Sequence, residues 1–242
     1  MGIVDAHCDV ICKMLTDQDA DFASGKKVEV SLQRLAEGGV ALQFFAIYVP
    51  DDVRPFAFAH ILRSAAIYAE RILSRPEMVP VRRKADLARL VSGRQIGALL
   101  TLEGVDAVPA DEPWAIRILY DLGIRSVGIT WNHANWAADG VGEPRGGGLT
   151  RAGRRLVAEL NRLRMLVDVS HLSERGFWDV ADCSERPFIA SHSNVSALCP
   201  HPRNLNDAQI DHIIATRGMI GLAFVPYFLL PEGRRAAADD LL

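Results

Sequence analysis

The sequence predicts an α/β fold built on a parallel sheet. Seven short, β-rich apolar runs alternate with segments of helical period, and several of these runs, such as IGALLTL and MIGLAFV, are apolar almost throughout. Strands covered on both faces in a parallel sheet have this continuous apolar pattern. The predicted strands are Gly2–Cys8, Val40–Val49, Gln95–Leu102, Arg125–Trp131, Met165–Ser170, Pro187–Ser191 and Gly218–Val225.

The segments between the strands carry the signals of helix ends. A helix is also predicted over most of residues 51–75. In the helix that begins after Asn206, Ile210, Ile213 and Ile214 are expected to face inward. Proline suits a first turn, glycine follows a last turn, and serine, threonine or asparagine caps an N-terminus. The residues that predict helix ends are Pro113 with Gly123, Thr150, Ser173, and Asn206 with Gln209.

Strand–helix alternation is compatible with a closed (β/α)₈ barrel or an open, doubly wound sheet. Seven strand–helix units precede residue 228, and the remainder, LLPEGRRAAADDLL, looks like the beginning of another helix. A closed barrel needs one more strand. We therefore expect residues 1–242 to form a single domain, an incomplete barrel whose eighth strand is missing, with the open sheet as the alternative.

The composition indicates a protein of the cytoplasm. The 242 residues carry a formal net charge of −3 without a basic stripe, which argues against nucleic-acid binding. No apolar run approaches the ~20 residues of a membrane span. The first residues, MGIVDAHCDV, lack the pattern of a signal peptide, and no pair of the four cysteines has C-x-x-C spacing.

Five metal-ligand side chains fall at the ends of four predicted strands. One such histidine alone is more often a hydrogen-bonded core residue, but the C-terminal ends of parallel strands meet at one edge, so the set of five indicates a metal site. Nitrogen and oxygen ligands suit Zn²⁺, with Mn²⁺ or Co²⁺ as alternatives. The five candidates are His7 and Asp9 after the first strand, Glu103 after the third, His171 after the fifth and His192 after the sixth.

Glu103 is the expected bridge between two metal ions. Many barrel hydrolases bridge their metals with a carboxylated lysine on a strand, but none of the four lysines ends a predicted strand. Two metals can lower the pKa of a shared water towards ~7, so that hydroxide can attack a carbonyl or a phosphoryl group. The sequence therefore predicts a metal-dependent hydrolase.

Two further residues are candidates for contacts with the substrate. His133, in TWNHANW after the fourth strand, is placed to donate a hydrogen bond to a developing oxyanion. Arg203, in HPRN after the sixth strand, is placed to pair with a substrate carboxylate, although an ordinary surface arginine is an equal alternative. Glu103 and His133 are thus the candidate catalytic residues.

Several motifs together resemble the membrane (renal-type) dipeptidase family, metallopeptidase family M19. They occur in the order and spacing of that family, from residue 2 to about residue 230. The motifs are DAHCD, LTLEG, GGGLTRAGRRLVAELNRLRMLVDVSHLS, ASHSN and HPRNLND.

The resemblance implies an amidohydrolase-like (β/α)₈ barrel with two zinc ions per subunit and a homodimeric assembly. It also implies hydrolysis of dipeptides, often with a C-terminal D-residue. By position, His7 and Asp9 would bind one metal, and His171 and His192 the other, with Glu103 as the bridge. His133 would polarise the substrate, Arg203 would bind its carboxylate, and Tyr48 would contact it.

Two departures from the family pattern leave alternatives open. Animal members are secreted and lipid-anchored, whereas this sequence resembles the cytoplasmic, bacterial type. The family also has an aspartate at the end of the eighth strand as a proton shuttle, and no position here matches it, so we expect a fragment of impaired activity. One alternative is a lactonase or phosphotriesterase-like enzyme, although this sequence lacks the His-x-His typical of their first strand. The other is a non-catalytic metal-binding remnant.

Overall fold

The chain forms two compact units, Met1–Val127 and Gly128–Leu242. The computed structural model describes residues 2–50, 57–90, 93, 95–230 and 237–241. Each unit contains parallel strands with helices between them, which is the α/β organisation that the sequence predicts.

Among the described residues, the first unit contains five strands, the fifth of which ends one residue beyond it. The strands are β1 (Ile3–Asp5), β2 (Val40–Tyr48), β3 (Met78–Pro80), β4 (Ile96–Glu103) and β5 (Ile124–Gly128). The helices are α1 (Val10–Thr16), α2 (Leu32–Glu37), α3 (Ala57–Ile67) and α4 (Pro113–Leu122), with a π-helical turn over Tyr68–Ile72 and a 3₁₀ turn over Lys84–Leu90.

Strands β2 and β4 form the centre of the first unit. They pair in parallel from Leu42↔Gly97 to Tyr48↔Glu103, while β1 lies beside β2 and β3 beside the beginning of β4. Phe45 is fully buried, and its ring contacts Tyr68 at 5.8 Å between centroids. The Tyr68 hydroxyl donates to the carbonyl oxygen of Ala98 at 2.9 Å. These contacts fix the strand that ends at Glu103.

The second unit contains three short strands in the order β6 (Leu166–Asp168), β7 (Ile189–Ala190) and β8 (Met219–Ile220), paired in parallel. Its helices are α5 (Arg151–Leu163), α6 (Glu174–Cys183), α7 (Asp207–Ala215) and α8 (Pro226–Leu229). A 3₁₀ turn covers Ala238–Leu241.

Capping groups start the helices of the second unit where the sequence predicts. The hydroxyls of Thr150 and Ser173 accept N–H bonds at the beginnings of α5 and α6, and Asn206 and Gln209 form a complete capping box at α7. On α5, the apolar residues Leu156, Val157, Leu160 and Leu163 recur at helical spacing and are buried. On α7, Ile213 is buried, but the expectation for Ile214 is wrong, because it lies on the solvent side with 65% exposed.

Each of the seven predicted strand segments contains a strand, although several strands are shorter than predicted. The sequence missed β3, a three-residue strand that ends in a proline and has no measurable periodicity. The helix predicted over residues 51–75 begins outside the described residues at 51–56, and the one predicted after Leu230 falls partly on residues 231–236, also outside them. Within the described ranges, no helix has the length and apolar character needed to cross a membrane.

Candidate metal-binding sites

The first unit brings together three of the predicted ligands. His7 follows β1, Asp9 occupies the N-cap position of α1 and Glu103 ends β4. The Nε2 atom of His7 lies 3.5 Å from Oδ1 of Asp9 and 3.9 Å from Oε2 of Glu103. The side chains of His7 and Glu103 are mostly covered, whereas that of Asp9 is 54% exposed. One imidazole and two carboxylates therefore form a cluster that is open on one side.

Backbone contacts hold this cluster in place. The His7 N–H donates to Oδ1 of Asp5 at 3.1 Å, and the N–H of Ala46 on β2 donates to the carbonyl oxygen of Cys8 at 3.0 Å. Burial raises the pKa of the Asp5 carboxyl, and the His7 N–H partly opposes this rise. Burial also raises the pKa of the Cys8 thiol well above its ordinary value, which is consistent with a packed, neutral side chain.

Tyr48, the predicted substrate contact, lies beside Glu103. The two residues are register partners at the ends of β2 and β4. The carbonyl oxygen of Tyr48 is 3.2 Å from Nε2 of His60 on α3, which ties the end of β2 to the helix that follows it. His60 therefore has a structural contact.

The second unit brings together the other two predicted ligands. His171 follows β6, and His192 follows β7. Their Nε2 atoms are 2.9 Å apart. On the opposite side of each ring, Nδ1 of His171 is 2.8 Å from Oδ1 of Asn132, and Nδ1 of His192 is 2.7 Å from Oγ of Ser191. The Nε2 atoms of the two imidazoles thus face each other.

The loop between β5 and α5 fixes His171 through its backbone. The carbonyl oxygen of His171 accepts from the N–H of Val141 at 2.8 Å and from Oγ1 of Thr130 at 3.3 Å. Asp139 keeps the loop folded, because its carboxylate accepts from both Nε and Nη2 of Arg145 and from the N–H of Gly147. These hydrogen bonds, chiefly those from Arg145, lower the pKa of Asp139.

His133 lies in the same unit, at the surface. Its side chain is 62% exposed, and its Nδ1 is 3.7 Å from Oε1 of Glu143, which also accepts from the N–H of Ala134 at 2.9 Å. The Trp131 ring lies 6.0 Å from the His133 ring and 6.2 Å from the His171 ring. His133 is therefore accessible, and an acidic side chain lies beside it.

Arg203 is buried, so the alternative that it is an ordinary surface arginine is wrong. Only 5% of it is exposed, its Nη2 donates to the carbonyl oxygen of His192 at 3.2 Å, and its guanidinium lies 5.4 Å from the Phe228 ring centroid. With His201, it lines a cavity of about 320 Å³ in the second unit. Burial, with the nearby Arg203 charge, lowers the pKa of His201.

The donor chemistry of both clusters fits a divalent metal ion. Two ligand atoms that each lie about 2.0–2.2 Å from one zinc ion are on the order of 3–3.5 Å apart. The contacts of 3.5 Å and 3.9 Å at His7, and of 2.9 Å between His171 and His192, are close to this spacing. Imidazole nitrogens and carboxylate oxygens without thiolate are a donor set that zinc accepts.

The sequence did not identify the residues that contact the Nδ1 atoms of His171 and His192. Asn132 precedes His133 in the same motif, and Ser191 precedes His192, but neither type has a distinctive spacing signal. Asp168, the last residue of β6, accepts from the N–H groups of Ser170 and Ser191, which lie just after β6 and β7. Glu143 lies in a glycine-rich loop whose path the sequence does not define.

A parallel α/β fold with strand-end histidines and carboxylates is typical of metal-dependent hydrolases. A family model described as membrane dipeptidase (peptidase family M19) matches residues 1–241. The chain therefore belongs to peptidase family M19, as its motifs predict.

Solved structures agree with this assignment. A metallo peptidase from Rhodobacter sphaeroides, solved with a phosphinate mimic of the dipeptide L-Ala-D-Ala, is 31% identical, with a TM-score of 0.86 over 98% of this chain and 77% of its own. A dipeptidase described as a metallo peptidase of family M19 is 34% identical, with a TM-score of 0.85 over 98% of this chain and 76% of its own. These similarities confirm the predicted α/β fold class.

Curated relatives are considerably longer than the matched region. An uncharacterised protein in the pqqA 5′ region of Klebsiella pneumoniae is 40% identical over 65% of this chain and 60% of its own length. Dipeptidase tcpJ of Claviceps purpurea is 28% identical over 88% of this chain and 53% of its own length. The chain thus spans about half to three-fifths of the length of these curated relatives.

Proposed function

We propose that this chain is a zinc-dependent dipeptidase that binds two metal ions per subunit. The observation that carries the proposal is the 2.9 Å approach of the Nε2 atoms of His171 and His192, in a chain that belongs to family M19. The cluster of His7, Asp9 and Glu103 supports a second ion. The predicted bridging role of Glu103 stays a prediction.

Divalent metal ions, when bound, acidify a water molecule and polarise the carbonyl group of a peptide bond. The chain's own residues then have separate tasks. In this proposal, His133 donates an imidazole N–H to the oxygen that becomes negatively charged. Arg203 binds the terminal carboxylate of the substrate, supported by its buried guanidinium beside the 320 Å³ cavity, and Tyr48 contacts the substrate next to Glu103.

Dipeptides with a C-terminal D-residue are the proposed substrates. The solved relative from Rhodobacter sphaeroides was bound to a mimic of L-Ala-D-Ala, which supports this class. The proposed setting is the cytoplasm, supported by cysteines that occur as thiols and not as disulfides. A homodimer remains an expectation from the family resemblance.

The direct test is hydrolysis of L-Ala-D-Ala by the chain with added zinc, next to a panel of lactones and phosphate esters. We expect turnover of the dipeptide only. Preferential turnover of a lactone or phosphate ester would support the other class of barrel hydrolase, and full zinc occupancy without any turnover would support the metal-binding remnant.

Glu103→Gln keeps the shape of the side chain and removes its charge. We expect activity on the dipeptide to fall at least about 10²-fold, because the change removes a charged group from the proposed centre. Glu70→Gln, at an exposed position of the same unit, is the matched control and should retain activity. Equal activity in the two variants would contradict the proposed role of Glu103.

A further inference from the structure

Asp168 accepts four hydrogen bonds at the end of β6. Its Oδ1 atom accepts from the N–H of Ser170 at 3.1 Å, from Oγ of Ser170 at 2.7 Å and from the N–H of Ser191 at 3.0 Å. Its Oδ2 atom accepts from the hydroxyl of Ser191. A carboxylate with this set of partners acts only as an acceptor, so each partner must supply the proton.

This arrangement fixes the direction of the Ser191 hydroxyl. A serine hydroxyl has one proton to donate and two lone pairs that accept. Since the proton of Ser191 is directed to Asp168, its oxygen presents lone pairs to Nδ1 of His192, 2.7 Å away. The N–H···O bond at this contact therefore requires the proton of the neutral imidazole to be on Nδ1.

The same tautomer is favoured at the neighbouring ring. Nδ1 of His171 faces the side-chain oxygen of Asn132 at 2.8 Å, an acceptor that also calls for an Nδ1 proton. With both Nδ1 atoms protonated, the Nε2 atoms present lone pairs at a separation of 2.9 Å. A cation that both lone pairs contact removes their repulsion.

We propose that Asp168 is a positioning residue that acts through Ser191 to hold His192 as the Nδ1–H tautomer, which leaves the Nε2 lone pair available to a divalent metal ion. The proposal rests on the proposed function in that it takes His171 and His192 as a metal site. Carboxylates that contact a metal-binding histidine directly are common; here a serine hydroxyl lies between the two groups.

The tautomer can be measured in the metal-free chain. In protein labelled with ¹⁵N-histidine, a long-range ¹H–¹⁵N correlation spectrum distinguishes a protonated Nδ1 from a protonated Nε2, and the loss of one set of signals in His192→Gln identifies His192. We expect the Nδ1–H form in the wild-type chain and a mixture of both forms in Ser191→Ala. Ser193→Ala is the matched control, because it removes a neighbouring buried hydroxyl that bonds neither Asp168 nor His192. Ser170 does not serve, since its Oγ accepts from the N–H of His192 at 3.1 Å and lies 3.1 Å from Oγ of Ser191.

Asp168→Asn should reverse the preferred tautomer of His192. Its amide group can donate to the Ser191 oxygen, so that the serine proton turns to Nδ1 of His192 and the Nε2–H tautomer is favoured, as in other histidines whose carboxylate partner is replaced by an amide. If this variant does not fold, Ser191→Ala alone decides the question. Co²⁺ titration, followed by its absorption spectrum, should show affinity about 10–100-fold weaker in Ser191→Ala than in the control.

The outcomes separate the two proposals. A wild-type His192 in the Nε2–H form, or a tautomer and Co²⁺ affinity that Ser191→Ala leaves unchanged, would overturn the positioning role. Failure of the wild-type chain to bind Co²⁺ would instead contradict the proposed function, while the spectrum of the metal-free chain would still decide the tautomer.

Discussion

Individual residues of the two candidate clusters are held by hydrogen bonds to groups outside the clusters. His171 is restrained at three points, by Asn132 on the ring and by Thr130 and Val141 on its carbonyl oxygen. If His171 binds an ion as proposed, such contacts reduce the freedom that the ring loses on binding, because they already restrain it.

His133→Gln tests the proposed oxyanion contact. We expect kcat to fall about 10²–10³-fold with little change in KM, since a donor that acts on the developing negative charge contributes mainly in the transition state. Steady-state kinetics on L-Ala-D-Ala measure both constants. Glu143→Gln, which keeps an oxygen for the Ala134 N–H, is the control and should have the smaller effect. A higher KM with unchanged kcat would assign His133 to substrate binding instead.

The sequence selected candidate ligands more readily than the residues that hydrogen-bond to them. Histidine and acidic residues at strand ends are rare and chemically distinctive, so His7, Asp9, Glu103, His171 and His192 could be selected from one sequence. Serine and asparagine are common, and their partners depend on where loops return, as Ser191 and Asn132 show. The burial of Arg203 also depended on a distant side chain, Phe228.

At the scale of elements, strong local signals were reliable and weak ones were not. The long strands β2 and β4 and the capped helices α5 to α7 follow from apolar runs and capping residues. Strand β3 was missed because three residues carry no pattern, and Ile214 was misplaced because tertiary contacts choose the buried side of a helix whose apolar residues are adjacent.

Gly153→Ala tests whether packing or helix propensity governs α5. Propensity alone favours alanine by about 1 kcal/mol. A Cβ at Gly153, however, would lie 2.0 Å from the carbonyl oxygen of Ala137, and backbone cannot move aside easily. We therefore expect a net loss of about 1–3 kcal/mol in the free energy of unfolding, measured by urea denaturation.

Gly176→Ala on α6 is the matched control for this helix substitution. Its Cβ would meet the side chain of Leu172 at 2.7 Å, and a side chain can rotate where a backbone carbonyl cannot. We expect a smaller loss of stability than in Gly153→Ala. An increase in the free energy of unfolding in Gly153→Ala would show that the contact with the Ala137 carbonyl relaxes at little cost.

At the scale of the whole molecule, the family match extends over residues 1–241, whereas the ligand clusters lie within separate compact units. The prediction of a single domain over residues 1–242 stays a prediction, as does the absence of the eighth strand. Metal binding offers a way to test the molecule as a whole, because an ion that binds only the folded state stabilises it.

Zinc should therefore raise the melting temperature of the chain. At a free zinc concentration of 100 times Kd, one site contributes about 2.7 kcal/mol. For a chain of this length, that corresponds to an increase of roughly 5–10 °C in Tm. Differential scanning calorimetry with and without zinc measures the increase, and excess chelator should reverse it. His192→Gln should lose part of the gain, because the His7 cluster remains intact. A melting temperature that saturating zinc does not change would show that neither cluster holds the ion in the folded chain.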